Sequence, residues 1–157
     1  MAPHNFADLE KEVAHEISIA TAPSGFVEYG LDPVDCGLCG SEMIPNKSGD
    51  AFTAHGDWLC DSCVARLRPD VLSLLDRLRR LDGTHAVRQV DYRDAGTTGP
   101  EYFRCPTCTR LDEPDGWRIV ERASDRPICK HCALDRVPAS TRDLWKALRH
   151  MGRVKRH

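Results

Sequence analysis

All eight cysteines of this 157-residue chain fall into four Cys-x-x-Cys pairs. The pairs are Cys36 with Cys39, Cys60 with Cys63, Cys105 with Cys108, and Cys129 with Cys132. One such pair brings two thiolates to a metal ion from a tight turn, and a second pair completes a tetrahedral shell. Twenty residues separate the two pairs in each half of the chain, which is close to the spacing of structural zinc sites. The sequence therefore predicts two Zn²⁺ per chain.

Two other uses of cysteine fit the sequence less well. Four disulfides would imply secretion, but the first twenty residues are rich in acids and lack the apolar segment of a signal peptide. No run approaches the ~20 apolar residues that span a bilayer, so we predict a cytoplasmic protein with reduced thiols and no membrane partner. A redox dithiol needs a thioredoxin-like context, and catalytic zinc needs an open coordination position. Neither is indicated here, and we predict no enzymatic activity.

The second cysteine set begins 69 residues after the first, and other residues recur at the same offset. A duplication of the whole unit predicts one site per module rather than two interleaved, cross-braced sites. The recurring non-cysteine positions are Pro45 and Pro114, Ala54 and Ala123, Pro69 and Pro138, Leu75 and Leu144, and Arg80 and Arg149.

A module of about 45 residues buries too little apolar surface to be stable alone, and a bound metal compensates for that. Glycine and proline clusters indicate where the modules end. We predict an N-terminal helix and linker at 1–30, a first zinc module at 31–82, a hinge linker at 83–100, a second zinc module at 101–152 and a basic tail at 153–157.

The N-terminal segment 5–20 has apolar residues at helical spacing from Phe6 to Ala20, and Asn5 can cap it. We interpret it as a helix that packs on its own protein, with dimerisation or partner binding as the alternative. Short strands are predicted at Phe26–Tyr29 and around Val87.

Each module is predicted to hold a hairpin and to end in a helix. In the first, the turn His55-Gly56 joins two short strands, and a helix follows from Asp70, its cap, to Leu81. In the second, Ser140 and Asp143 form a capping box, and Gly152 is a candidate stop.

Each module is expected to contain a turn with the first Cys-x-x-Cys pair (the knuckle), then a short hairpin, then a second ligand pair at the start of a helix. This order resembles the treble-clef zinc fingers over about 36–82 and 105–151, with ligand spacing near that of GATA-type fingers. The resemblance implies small α+β, zinc-stabilised modules, each ending in an α-helix. Neither module has the Trp-Arg-Arg run of GATA fingers or their asparagine-alanine between the last two cysteines. The resemblance therefore does not imply GATA-like base recognition.

Charge is unevenly distributed along the chain. Residues 1–35 carry seven acids and one base, whereas residues 101–157 carry eight acids and thirteen bases. Within the basic end, Arg142, Lys146, Arg149 and Arg153 fall on one helical face, and Lys155 and Arg156 follow. These six cations predict binding to a nucleic-acid backbone in a regulatory role.

Other interpretations of the modules stay open. The basic face could simply be solvated. The modules could instead dock a protein partner, such as transcription machinery. If nucleic acid binds elsewhere, the next candidates are the cations of the first module, Arg66, Arg68, Arg77 and Arg80.

Overall fold

Each four-cysteine cluster lies in its own folded unit of the chain. A computed structural model describes residues 6–21, 32–81, 83–89, 103–112 and 116–154. Residues up to Arg79 belong to the first unit, together with Val154, and the second unit covers Arg80–Arg153. The small α+β fold with an N-terminal helix and two separate sites is confirmed.

In its described residues, the first unit combines three helices with two small antiparallel sheets. Strands β1, β4 and β5 form a three-stranded sheet, and β2 pairs with β3. Its core is formed by Ile19, Leu59, Val64, Val71, Leu75 and Leu78. The elements are α1 (Phe6–His15), β1 (Ser18–Ala20), β2 (Val34–Asp35), β3 (Glu42–Met43), β4 (Asp50–Phe52), β5 (Trp58–Leu59), α2 (Asp61–Leu67) and α3 (Pro69–Arg79).

The second unit has the same two kinds of sheet. Strands β10, β9 and β6 form a three-stranded sheet, and β7 pairs with β8. Its core is formed by Val87, Phe103, Ile119, Ile128, Leu144, Trp145 and Leu148. The elements are β6 (His85–Gln89), β7 (Phe103–Arg104), β8 (Leu111–Asp112), β9 (Trp117–Glu121), β10 (Arg126–Ile128), α4 (Lys130–Arg136) and α5 (Ala139–Val154).

The N-terminal helix is shorter than the sequence pattern predicts. It ends at His15, and Ser18–Ala20 is instead a strand paired with β4. Ile17 and Ile19 are buried while Ser18 between them is half-buried, an alternation typical of a strand. Pairing with β4 favours the extended state for this β-branched segment. The predicted strand at Phe26–Tyr29 and the cap Asn5 lie outside the described residues.

Two arginines of the first unit hold α1 against α2. Arg66 pairs with Glu10, and Arg68 Nη1 donates to the Ala14 carbonyl at 3.0 Å. An arginine on the last carbonyls of a helix satisfies acceptors that the helix itself leaves unpaired. These contacts confirm that α1 packs on its own unit; dimerisation through it stays a prediction.

Helix α3 starts one residue earlier than predicted and ends two residues before Leu81. Pro69 is its first residue, a position where a missing N–H costs nothing, so Asp70 lies in the first turn and is not the cap. The last residue, Arg79, is held by three groups of the same unit. Its guanidinium donates to the carboxylates of Asp50 (3.1 Å) and Asp61 (2.8 Å) and to the Gly49 carbonyl (2.9 Å).

Helix α5 also differs from the prediction at both ends. It begins at Ala139, one residue before Ser140, and its backbone continues through Gly152 to Val154. The Pro138 carbonyl accepts from the amides of Thr141 and Arg142, at 3.1 and 3.2 Å, and closes the first turn.

In both units, the hairpin between the two cysteine pairs is extended into a three-stranded sheet by a strand from earlier in the chain. Strand β1 pairs with β4 through Ile19 and Ala51, and β6 pairs with β9 through Val87 and Ile119. The partners are 32 residues apart in each case. The structural repeat therefore includes this strand. The strand His85–Gln89, which lies within the predicted hinge linker 83–100, belongs to the three-stranded sheet of the second unit.

Candidate metal centres

The first two cysteines of each cluster lie in a tight turn between two short strands. In the first unit, the Cys36 amide donates to the Ser41 carbonyl at 2.8 Å, and the Gly40 amide donates to the Cys36 carbonyl at 2.9 Å. In the second unit, the Cys105 amide donates to the Arg110 carbonyl and the Thr109 amide donates to the Cys105 carbonyl, both at 2.9 Å. The turn folds the chain so that both cysteines of the pair face the same point.

The other two cysteines of each cluster come from the start of a helix. Cys60 is the N-cap of α2 and Cys129 is the N-cap of α4, and both have extended backbone. Cys63 and Cys132 follow one turn later, on the same side. Unpaired amides and the helix dipole at this end stabilise negative charge, which suits thiolate ligands.

The sulfur atoms have the separations of a tetrahedral metal site. The Cys36–Cys63 and Cys39–Cys60 pairs are 3.8 and 3.6 Å apart, and Cys105–Cys132 and Cys108–Cys129 are 3.8 and 3.5 Å apart. Four sulfurs at ~2.3 Å from a tetrahedral Zn²⁺ lie about 3.8 Å from one another. Within each cluster all ligand atoms lie within 4.8 Å, and the eight cysteines are free thiols.

The prediction of one site per module is confirmed, because each cluster contains two pairs that are consecutive in sequence. The cross-braced alternative would have joined Cys36 or Cys60 to cysteines of the second unit. His131, between Cys129 and Cys132, is exposed, and both neighbouring cysteines lie in the cluster.

Within each cluster, hydrogen bonds lower the pKa of one thiol, and burial raises the pKa of another. The hydroxyl and backbone of Ser41 lower the pKa of Cys39 to about 6. Burial opposes ionisation of Cys105, but the amides of Cys108, Cys129 and Thr107 lower its pKa to about 6. Burial and neighbouring sulfurs raise the pKa of both Cys63 and Cys132. Four thiolates in so small a space need a divalent cation to offset their charge, and the donor set fits one.

The position after the second cysteine of each knuckle is left-handed. Gly40 has φ 75° and Thr109, at the equivalent place in the second unit, has φ 62°. Glycine adopts this conformation freely, whereas a β-branched residue is strained there.

We expect Thr109→Gly to raise the free energy of unfolding of the second unit. The strain removed is ~1–2 kcal/mol and the added chain entropy costs ~0.5–1 kcal/mol, so the net gain lies between about 0 and 1.5 kcal/mol. Urea denaturation of the metal-loaded protein measures it, with Gly40→Thr expected to destabilise the first unit. A lower midpoint for Thr109→Gly would show that the Thr109 hydroxyl bond to the Cys108 carbonyl, at 2.6 Å, outweighs the strain.

The predicted cationic face of α5 borders a buried stripe of the same helix. That stripe consists of Thr141, Leu144, Trp145 and Leu148. Arg149 stacks on the Trp145 ring, with its guanidinium carbon 4.6 Å from the ring centroid. Arg142 is half-buried and Lys146 is exposed.

Three of the six predicted nucleic-acid-binding cations fall at the C-terminal end of α5 and beyond it in the sequence. The side chain of Arg153 and all of Lys155 and Arg156 lie outside the described residues. In the first unit, Arg66 and Arg68 are engaged with Glu10, Asp70 and the Ala14 carbonyl.

A buried ion pair beside the second centre was not predicted. Arg118 is 2% exposed and Asp112 is 8% exposed, and their side chains are 3.1 Å apart. Asp112 also accepts from the first amide of α4, that of Lys130, at 3.0 Å, and Arg118 lies over the Phe103 ring. The pair therefore ties the knuckle, the sheet and the helix that carries Cys129 and Cys132.

The described helices include none long and apolar enough to span a membrane. Comparison of the chain with protein-family models, with curated proteins and with solved structures finds no match in any of the three.

Proposed function

We propose that the chain is a non-enzymatic nucleic-acid-binding protein with two structural Zn²⁺ ions, whose second unit contacts the phosphate backbone. The order of knuckle, hairpin and helix in each unit supports treble-clef fingers. The four cysteines of each cluster would fill all four positions of a tetrahedral zinc ion, and a filled shell leaves no position for a substrate.

Opposite exposed charge on the two units is the observation that carries the proposal. Eight Asp and Glu and four Lys and Arg are exposed among the described residues of the first unit. In the described part of the second unit, the exposed Asp and Glu number only three. Its eight exposed cations are Arg80, Arg104, Arg110, Arg122, Arg126, Lys130, Arg136 and Lys146. A polyanion is therefore attracted to the second unit and repelled by the first.

Helix α5 supplies a plausible edge for phosphate contact. Lys146 is exposed, and the half-buried side chains of Arg142 and Arg149 lie along the same side of the helix. Long cationic side chains pack their stems on apolar neighbours and keep the charge at the surface. Backbone contact is favoured over base reading, because the helix has no Asn or Gln beside these cations.

The test is the salt dependence of binding to duplex DNA. The logarithm of the binding constant should fall with the logarithm of salt by about 0.9 for each phosphate contact. Replacing Arg142, Lys146 and Arg149 by alanine should weaken binding to all sequences alike and reduce that slope. A control with Lys11→Ala and Lys47→Ala, both exposed on the acidic first unit, should bind as the original chain does.

An unchanged slope in the triple variant, with its zinc retained, would contradict the role of α5. Absence of DNA and RNA binding at low salt would contradict nucleic-acid binding as a whole.

The second candidate is a protein adaptor, and the first unit favours it. Ile44 is 70% exposed, and the half-buried rings of Phe52 and Trp58 contact each other at an interplanar angle of 49°, with centroids 4.6 Å apart. Exposed apolar and aromatic side chains are typical of protein-binding surfaces. A partner that remains bound at high salt, in a chain without nucleic-acid affinity, would support this function.

A further inference from the structure

The two metal centres have the same ligand spacing but differ in how far their cysteines are exposed to solvent. Cys39 is exposed and Cys60 is partly exposed in the first centre. At the equivalent positions of the second centre, Cys108 is partly exposed and Cys129 is 0% exposed. Cys39 and Cys60 are the two more exposed cysteines of the first centre, and their sulfurs are 3.6 Å apart.

The residues around the first knuckle explain this exposure. Gly40 follows Cys39, and a Cβ added to Gly40 would meet no atom within 4 Å. The space beside Gly40 is therefore open. In the second knuckle this position is Thr109, and Arg110 follows it, so longer side chains stand where the first knuckle has glycine and serine.

Cys39 is also the most accessible ligand of the first centre. Its Sγ lies 3.2 Å from the Ser41 hydroxyl, and both residues are exposed. Cys36 and Cys63, the other two ligands of the centre, are buried at 3% exposure. Oxidants therefore reach Cys39 before the buried ligands.

We propose that the first metal centre is a peroxide-sensitive modification site, in which Cys39 is oxidised and forms a disulfide with Cys60 while the second centre keeps its zinc. The proposal goes beyond the proposed function and rests on its zinc occupancy. The ligand is a hydroperoxide, with hydrogen peroxide as the simplest member of the class.

The reaction balances with hydrogen peroxide as the oxidant. The Cys39 thiolate attacks one peroxide oxygen, the S–O bond forms, the O–O bond breaks, and the leaving hydroxide takes a proton to become water. The Cys60 thiolate then attacks the Cys39 sulfur, the S–S bond forms, and the sulfenic hydroxide leaves and is protonated to a second water. Two thiolates, one peroxide and two protons give one disulfide and two waters. Two of four ligands are lost, and the metal ion dissociates.

The experiment uses the full chain loaded with zinc, whose metal content is measured first by native mass spectrometry. Hydrogen peroxide is then added, released zinc is followed with a colorimetric chelator, and the oxidised cysteines are identified by peptide mapping. We expect loss of one of the two zinc ions, with a Cys39–Cys60 disulfide and the second cluster intact. As a second measurement, N-ethylmaleimide should label Cys39 before any other cysteine.

The outcomes separate this proposal from the proposed function. A chain without two zinc ions before peroxide is added overturns the zinc occupancy and this proposal with it. Two zinc ions that leave together, earlier loss from the second centre, or a disulfide between other cysteines overturns the peroxide site alone.

Discussion

Replacing Cys36 with serine is expected to unfold the first unit and lower the zinc content from two ions per chain to one. Structural zinc contributes ~10–16 kcal/mol to the folding of zinc-finger peptides, as much as the whole stability of an ordinary domain, ~5–15 kcal/mol. Cys36 is buried, and its Sγ accepts from the Cys60 amide at 3.4 Å. A serine oxygen replaces neither the metal ligand nor its packing.

The second unit is expected to keep its metal in this variant, because its four ligands all lie within Arg80–Arg153. Zinc stoichiometry together with the amide spectrum of the second unit measures both effects. Cys105→Ser should give the opposite pattern, and His131→Ala, beside two ligands but exposed, should keep both ions. Loss of both ions from Cys36→Ser alone would contradict the independence of the two centres.

Replacing Asp112 with alanine is expected to destabilise the second unit by ~3–5 kcal/mol, because it removes the carboxylate that lies beside the buried charge of Arg118. The change also removes the acceptor of the Lys130 amide at the start of α4. Urea denaturation followed by tryptophan fluorescence measures the loss, since Trp117 and Trp145 both belong to this unit.

Arg136→Ala provides the matched control in the same unit. Arg136 is 49% exposed and lies 3.9 Å from Glu121, and exposed pairs of this kind contribute at most about 1 kcal/mol. The double variant Asp112→Leu with Arg118→Met should be more stable than Asp112→Ala, because it removes both buried charges. Equal stability of Asp112→Ala and Arg136→Ala would contradict the structural role of the pair.

The metal clusters could be predicted from the sequence because their geometry is mostly local. A Cys-x-x-Cys pair fixes two ligands within one turn, and the hairpin between the pairs is a short-range element marked by His55-Gly56. The structure shows that hairpin, with Gly56 at φ 87° between β4 and β5. Constant spacing between the pairs then assigns each ligand to its cluster.

The strands β1 and β6 were harder to predict because their pairing is long-range. Ile17 and Ala20 continue a helical pattern from α1, and only contact with β4 gives Ser18–Ala20 its extended state. The internal repeat could have predicted that β1 and β6 pair with the hairpins. However, the paired hairpin strand lies one residue further from the next cysteine in the second unit than in the first. Ala51 precedes Cys60 by nine residues, whereas Ile119 precedes Cys129 by ten.

Helical spacing predicted that the cations of α5 share a side, but not where the core meets the helix. Trp145 turns inward, and its Nε1 donates to the Trp117 carbonyl at 2.8 Å. This contact moves the buried stripe toward Arg142 and Arg149. The buried Asp112–Arg118 pair was missed for a related reason, because its two charges have no helical or strand pattern that marks them as partners.

The most direct test of two separate structural zinc centres is the intact mass of the full chain under native conditions, with and without a chelator. We predict two Zn²⁺ per chain, loss of both ions when the chelator is present, and no disulfide. A mass that corresponds to four disulfides without metal, or to a single zinc ion per chain, would contradict the account.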